Sequence, residues 1–147
     1  MFDAVSARMA NIVELTGRIR PAANLSDLMA RGQAPQVCPA AFVLPLGLRG
    51  GSFNAMANLI VQEIVETIGI VLFVRSAGDA TGSRMVDQLT PLRAAVIRAI
   101  VGWAPPSEWL DGETVGVFRL GRGELVSLSA GLLVYQLDFT IDDQLRI

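Results

Sequence analysis

Histidine is missing from this sequence and so is lysine; there is one cysteine, Cys38, and one tyrosine, Tyr135. Without imidazole there is no histidine base, no Ser–His or Cys–His nucleophile pair and no imidazole metal ligand. A single cysteine excludes an intrachain disulfide and a thiol metal cluster, and is compatible with a reducing compartment. Long apolar runs are missing too. A membrane-spanning helix needs about 20 mostly apolar residues. The longest uncharged stretch, Gly32 to Leu48, is broken by Pro35, Pro39 and Pro45. The stretch Leu125–Leu137 is short and interrupted by Ser127, Ser129 and Gly131. No basic leader with an apolar core and cleavage site is visible, so neither a secretory leader nor a membrane span is expected.

What the chain does have is an excess of apolar side chains. Of 147 residues, 52% are hydrophobic and only 18% charged, with a mean hydropathy of +0.47. A chain of this length makes one domain, whose surface is large relative to its volume. The surplus therefore has to be covered, and with a membrane set aside the cover is expected to come from other copies of the chain. The net charge of −2 lacks the positive cluster that a nucleic-acid binder uses to displace counterions. All twelve basic residues are arginine, the side chain best suited to planar, forked ion pairing at interfaces.

Periodicity predicts an α+β fold, a mostly antiparallel sheet with helices packed on one face. Phe2, Val5, Met9, Ile12 and Leu15 are spaced for a helix over the first twenty residues, ended by Gly17 and Pro21. Asn24 or Ser26 can cap a short second helix holding Leu25, Leu28 and Met29, up to Gly32. Ala40–Leu46 reads as a strand, and the glycine-rich 47–58 as a long loop. Leu59–Arg75 is a strand with polar Gln62, Glu63, Glu66 and Thr67 on both faces in its first half, and a doubly covered Ile70–Val74 in its second. Met85, Leu89, Leu92, Val96 and Ile100 mark a helix ending at Gly102, with Thr90–Pro91 a candidate start. Three strands are expected last: Val115–Leu120, Glu124–Ser129 and Leu132–Ile141, the first two joined by a turn at Gly121–Gly123. The single domain thus divides into helices over 1–32, strands and a long loop over 40–75, a helix over 85–102 and strands over 115–141.

No constellation of catalytic residues emerges. Glu63 and Glu66 lie on opposite faces of their strand and do not converge on one proton. Asp142–Asp143 reads as a solvated terminal pair. Gly121-Arg122-Gly123 lacks the Lys-Ser/Thr and the strand–loop–helix setting of a phosphate loop. Trp103 and Trp109, flanking Pro105-Pro106, either close a helix end or line an aromatic recognition groove. No catalytic residue, metal site or cofactor is expected.

Four segments, taken in order, carry a resemblance: Pro39-Ala-Ala-Phe-Val-Leu-Pro-Leu-Gly47; Gln62–Arg75, ending Ile-Gly-Ile-Val-Leu-Phe-Val-Arg; Leu92-Arg-Ala-Ala-Val with Gly102-Trp-Ala-Pro-Pro106; and Gly131-Leu-Leu-Val-Tyr-Gln-Leu-Asp-Phe139. In order and spacing they resemble phage tail terminator proteins, the small subunits that cap the head-proximal end of a tail tube. The chain departs from that pattern in having Val134-Tyr135 where a pair of aromatics is common, and in carrying Pro91 within its helix. The resemblance implies a homo-oligomeric ring, typically a hexamer. One face would meet the tail tube protein and stop its polymerisation, and the other would meet the head connector or neck protein. DNA would pass through without specific binding. It also implies a place in the virion tail, after assembly in the host cytoplasm.

On this reading Arg49, Phe53 and Asn54 are expected to touch a neighbouring subunit or the tail tube. Arg75 and Asp79 are candidates for intersubunit ion pairing, or else form a solvated strand end. Glu63 and Glu66 are candidates for the lumen. Two other readings remain open: a different neck or tail-completion connector subunit, and a non-viral cytosolic adaptor that binds peptides through Trp103–Trp109.

Overall fold

The computed structural model describes residues 1–110, 116–129 and 131–147. Helix α1 (Phe2–Met9) is followed by a 3-10 turn (Val13–Leu15), strand β1 (Ile19–Pro21) and helix α2 (Ala22–Ala30). Strands β2 (Ala40–Met56) and β3 (Leu59–Arg75), helix α3 (Ser83–Ile100), and strands β4 (Arg119–Ser129) and β5 (Leu132–Arg146) complete the chain. The strands form one sheet in the order β1-β2-β3-β5-β4. Among the described residues only the short β1–β2 pairing is parallel. The α+β class expected from periodicity is the class observed.

The side-chain alternation of β3 and β5 sorts the core into two layers. Ile68, Ile70, Leu72 and Val74 share one face with Leu133, Leu137, Phe139 and Ile141, and there α1 and α3 pack. From α3, Met85, Leu89, Leu92, Val96 and Ile100 all reach that layer, as their spacing predicts. Burying each such side chain contributes about 1.5–3 kcal/mol, which fixes the helix on the sheet. The opposite face holds a smaller cluster of Phe42, Val71 and Phe73 covered by Leu25 of α2. The helices therefore do not all share one face: α1 and α3 do, and α2 lies on the other. Among the described residues no helix is long and apolar enough to cross a membrane.

Several local expectations are corrected. The N-terminal helix stops at Met9, because the chain must turn through Val13–Leu15 to bring Ile19–Pro21 alongside Ala41–Val43. Helix α3 begins at Ser83, with Pro91 inside it. Its start is set by Gly82, at φ +77°, and by the Asp79 carboxylate, which accepts the Met85 N–H at 3.0 Å. That cap satisfies a donor left over at the helix N-terminus. Pro91 is exposed, outside the row of α3 residues that reaches the core.

The largest correction concerns 47–58, which is strand up to Met56 rather than loop. Residues 47–56 pair with Leu59–Thr67, and the interruptions between Pro45 and Gly47 and between Gly50 and Phe53 absorb extra residues as bulges. A tight turn at Ala57–Asn58, with Ala57 at φ +40°, closes the hairpin. Similarly, Gly121–Gly123 makes no turn. Arg119–Ser129 is one strand, with a register shift at Gly121 in place of the expected hairpin. A side chain at Gly123 would sit 2.9 Å from the Tyr135 hydroxyl, so glycine there serves close strand packing. Of the expected strand Val115–Leu120, Val115 lies outside the described residues. The final strand runs beyond Ile141 to Arg146.

Gly131, just before β5, packs closely against the chain that leaves β3. Gly131 has φ +73°, its carbonyl accepts the Ser76 N–H at 2.9 Å, and a Cβ there would come within 2.7 Å of the Ser76 carbonyl oxygen. Gly131→Ala is expected to cost about 2 kcal/mol, from left-handed backbone strain plus that backbone clash, and to lower Tm by roughly 5 °C in a thermal melt.

Candidate subunit interface

Beyond the level of the helices, β2 and β3 run on as an arm. Every residue of β2 from Leu46 to Met56 is exposed, as are Leu59 and Ile60 of β3. The end of β5 follows the arm, and Ile147 and Ile60 exchange two backbone hydrogen bonds of 2.8 and 2.9 Å near its tip. Antiparallel pairing puts Leu48, Phe53 and Ile60 on the side where α1 and α3 pack, and Met56 and Leu59 on the other. Both faces of the arm therefore expose large apolar side chains; Phe53 is 62% and Met56 68% exposed. An ordinary solvated hairpin keeps at least one face polar. Apolar side chains on both faces of a projecting ribbon make it a candidate contact surface.

The residues proposed from sequence fall into three places. Arg49, Phe53 and Asn54 do lie together, on the arm, though in a strand rather than a loop; Arg49 and Asn54 face the side opposite Phe53. Arg75 is exposed at the end of β3, while Asp79 is engaged as the cap of α3. Glu63 is exposed on the face that α2 shares, and Glu66 is on the α1 side. The structure thus does not bring Glu63 and Glu66 together.

Glu66 sits in a small polar pocket that sequence reading missed. Its Oε2 is buried and has no hydrogen-bond partner among the described residues. Nearby, the Met1 α-amino group donates to Glu108 Oε1 at 2.6 Å, and Ser107 Oγ donates to Asp143 Oδ2 at 2.8 Å. Asp143 is buried, 5% exposed, which corrects its reading as a solvated terminal residue. Asp142, by contrast, is exposed and ion-paired to Arg119 at 2.9 Å. Burial chiefly, and then the neighbouring Glu108, push the Glu66 carboxyl above its ordinary value near 4.5; Asp143 adds to this and the α-amino group opposes it.

A carboxyl that is harder to ionise in the fold than in the open chain costs nothing while both states are protonated. Its penalty grows as pH rises from the unfolded value through the folded one, and is complete above the latter. Glu66→Gln is therefore expected to raise Tm at neutral pH, with the gain fading as pH falls below the ordinary carboxyl value, until both states are protonated. A gain that persists unchanged at low pH would mean the carboxylate charge is not its source.

Trp103 is committed to packing. Its ring lies 6.0 Å from that of Phe118, and the Arg8 guanidinium sits 4.8 Å over its face. Trp103 thus closes the end of α3, the plainer of the two readings of that segment. An apolar groove does exist elsewhere. It has a volume of about 330 Å³ and is lined by Leu25, Leu44, Val71, Phe73, Val126 and Val134, on the face that α2 only partly covers. Cys38 lies at the edge of the cluster beneath α2; burial raises its thiol above the ordinary value, against Arg75 and Arg18, which lower it.

The whole chain can be placed among known proteins. The sequence pattern of the family described as phage tail terminator protein matches residues 2–147. The chain belongs to the phage tail terminator protein family. The match takes in the N-terminal helices as well as the four segments that carry the resemblance. The search of curated proteins finds no match. As a terminator-family protein the chain has a structural role in a phage tail, and its partners are other tail components. The family is a structural one, in keeping with a candidate site built of exposed apolar strand.

Proposed function

We propose that this chain is the subunit of a closed ring, a hexamer, that caps the head-proximal end of the phage tail tube. The ring ends tube polymerisation with one face and offers the other to the head connector, and DNA passes through its opening. It is assembled in the host cytoplasm and resides in the virion at the head-proximal end of the tail.

The observation that carries this reading is the arm, whose two faces expose apolar side chains that a single copy leaves in water. Phe53, with Arg49 and Asn54 on the opposite face of the ribbon, meets a neighbouring subunit or the tube. Arg75, exposed at the end of β3, pairs with a carboxylate of a neighbour, and Asp79 holds the start of α3 in place. Glu63, exposed on an open face, lines the lumen, where a negative wall lets the DNA phosphates slide rather than adhere. Glu66, on the other face, contributes to that wall only if the polar pocket around it opens to the lumen.

Incubating the purified protein with tail tubes and imaging them by negative-stain electron microscopy tests the proposal. Density at one end of each tube, and a halt in tube growth, are the expected results. Binding to the head connector but not to tube ends would reassign the chain to another neck position.

A further inference from the structure

We infer that neighbouring copies join edge to edge through their sheets, β4 of one pairing antiparallel with the outer edge of the next copy's arm. The inference rests on the ring reading above and specifies the contact that builds it. The sheet has two open edges among the described residues. One is β4, exposed along its whole length from Arg119 to Ser129. The other is the outer side of β2 beyond Val43, where β1 pairing ends. Unpaired edges of this length template pairing with another chain unless lysine, proline or unpaired charge guards them. Strand β4 has no proline or lysine, and its charges are occupied within the sheet: Arg119 with Asp142, and Arg122 with Glu124 and Asp138. The free part of β2 carries Pro45 at its inner end and the exposed Arg49, so its unguarded stretch is Gly50–Met56.

Three features match β4 to the arm. Strands β2, β3, β5 and β4 alternate in direction, so β2 and β4 are antiparallel and a repeated copy continues the alternation across the join. Each edge carries two register shifts at similar separation, at Leu120/Arg122 and Leu125/Ser127 on β4, and at Pro45/Gly47 and Gly50/Phe53 on β2. Both edges are thus interrupted twice at comparable spacing. Finally, β4 exposes Leu125 and Val126, the latter on the rim of the apolar groove, so an arm laid along this edge covers both.

The two edges are offset along the sheet. Through β5, β4 stands level with Thr67–Arg75 of β3, whereas the free part of β2 stands level with Leu59–Ile68. Joining them sets the strands at a tilt to the ring axis, as in any closed sheet with shear, and lays each arm along the body of its neighbour. A two-fold β4–β4 join would stop at two copies and leave both arms uncovered.

Hydrogen exchange on the purified chain, in its assembled state and diluted to the dissociated one, reads this contact without knowledge of its register. Assembly is expected to slow exchange of the outward-pointing amides in both 119–129 and 46–56 by at least about tenfold. The Leu125→Lys, Val126→Lys double variant, altered only at exposed positions, should keep its fold by circular dichroism yet fail to assemble. A ring in which β4 amides exchange as fast as in the free chain would overturn the inference and leave the ring standing. A dimer protecting β4 alone would overturn it in favour of β4–β4 pairing. A chain that never assembles would defeat the ring reading as well.

Discussion

A chain whose arm is cut back, with residues 51–63 replaced by an Asn-Gly turn joining Gly50 to Ile64, is expected to fold and to remain a monomer. Gly50 and Ile64 are directly paired, so a two-residue turn can close the shortened hairpin at that point. None of the removed residues belongs to either buried cluster. The loss falls on exposed apolar side chains, Phe53, Met56, Leu59 and Ile60. Large apolar groups of this kind, when central to an interface, account for most of its stability. Removing them should cost at least about 3 kcal/mol per contact, more than a hundredfold in association. Gel filtration with light scattering reads the outcome. A ring of undiminished stability would show that the arm is not the contact.

Phe118→Ala has the largest effect expected on the fold itself. Its side chain is fully buried, against Trp103. Its backbone makes two bonds of 2.9 Å, donating to the Trp103 carbonyl and accepting from the Gly102 N–H. The residue thus ties the end of α3 to the entrance of β4. Truncation leaves a cavity that the surrounding strands can only partly close, at about 3–5 kcal/mol. Domain stabilities are of order 5–15 kcal/mol, so the variant loses a large share of its stability. Urea denaturation should show the midpoint falling sharply with an unchanged slope. A loss below about 1 kcal/mol would mean the strands collapse onto the vacated space.

Helix α3 and strand β5 were legible in the sequence because each buries one side against a single layer. Met85 to Ile100 and Leu133 to Ile141 repeat with the period of their element. The doubly covered half of β3 was equally plain, since Ile70–Val74 is apolar on both sides. The arm was not, because neither of its faces is buried within one chain. Its alternation carries no in–out contrast, and glycines at 47, 50 and 51 look like loop when the paired strand is unseen. The N-terminal helix read too long for a different reason: the parallel pairing of Ile19–Pro21 with β2 is a long-range contact that overrides local spacing.

The candidate interface was legible in part. Arg49, Phe53 and Asn54 were singled out from a glycine-rich stretch and do project from the body, but the strand that presents them was missed. Asp79 illustrates the opposite case. Its carboxylate looked free for a partner, whereas the fold uses it to cap α3, a role visible only once the Gly82 turn brings it to the Met85 N–H. The pocket of Glu66, Glu108 and Asp143 joins residues from three separate segments, and no spacing along the chain could announce it.

One chain leaves the arm and the β4 edge exposed, and the proposed ring would cover both with like chains. Native mass spectrometry of the purified protein tests this most directly. The account predicts a dominant species with the mass of a hexamer of 15.7 kDa chains. A folded monomer as the sole species at every concentration would contradict it.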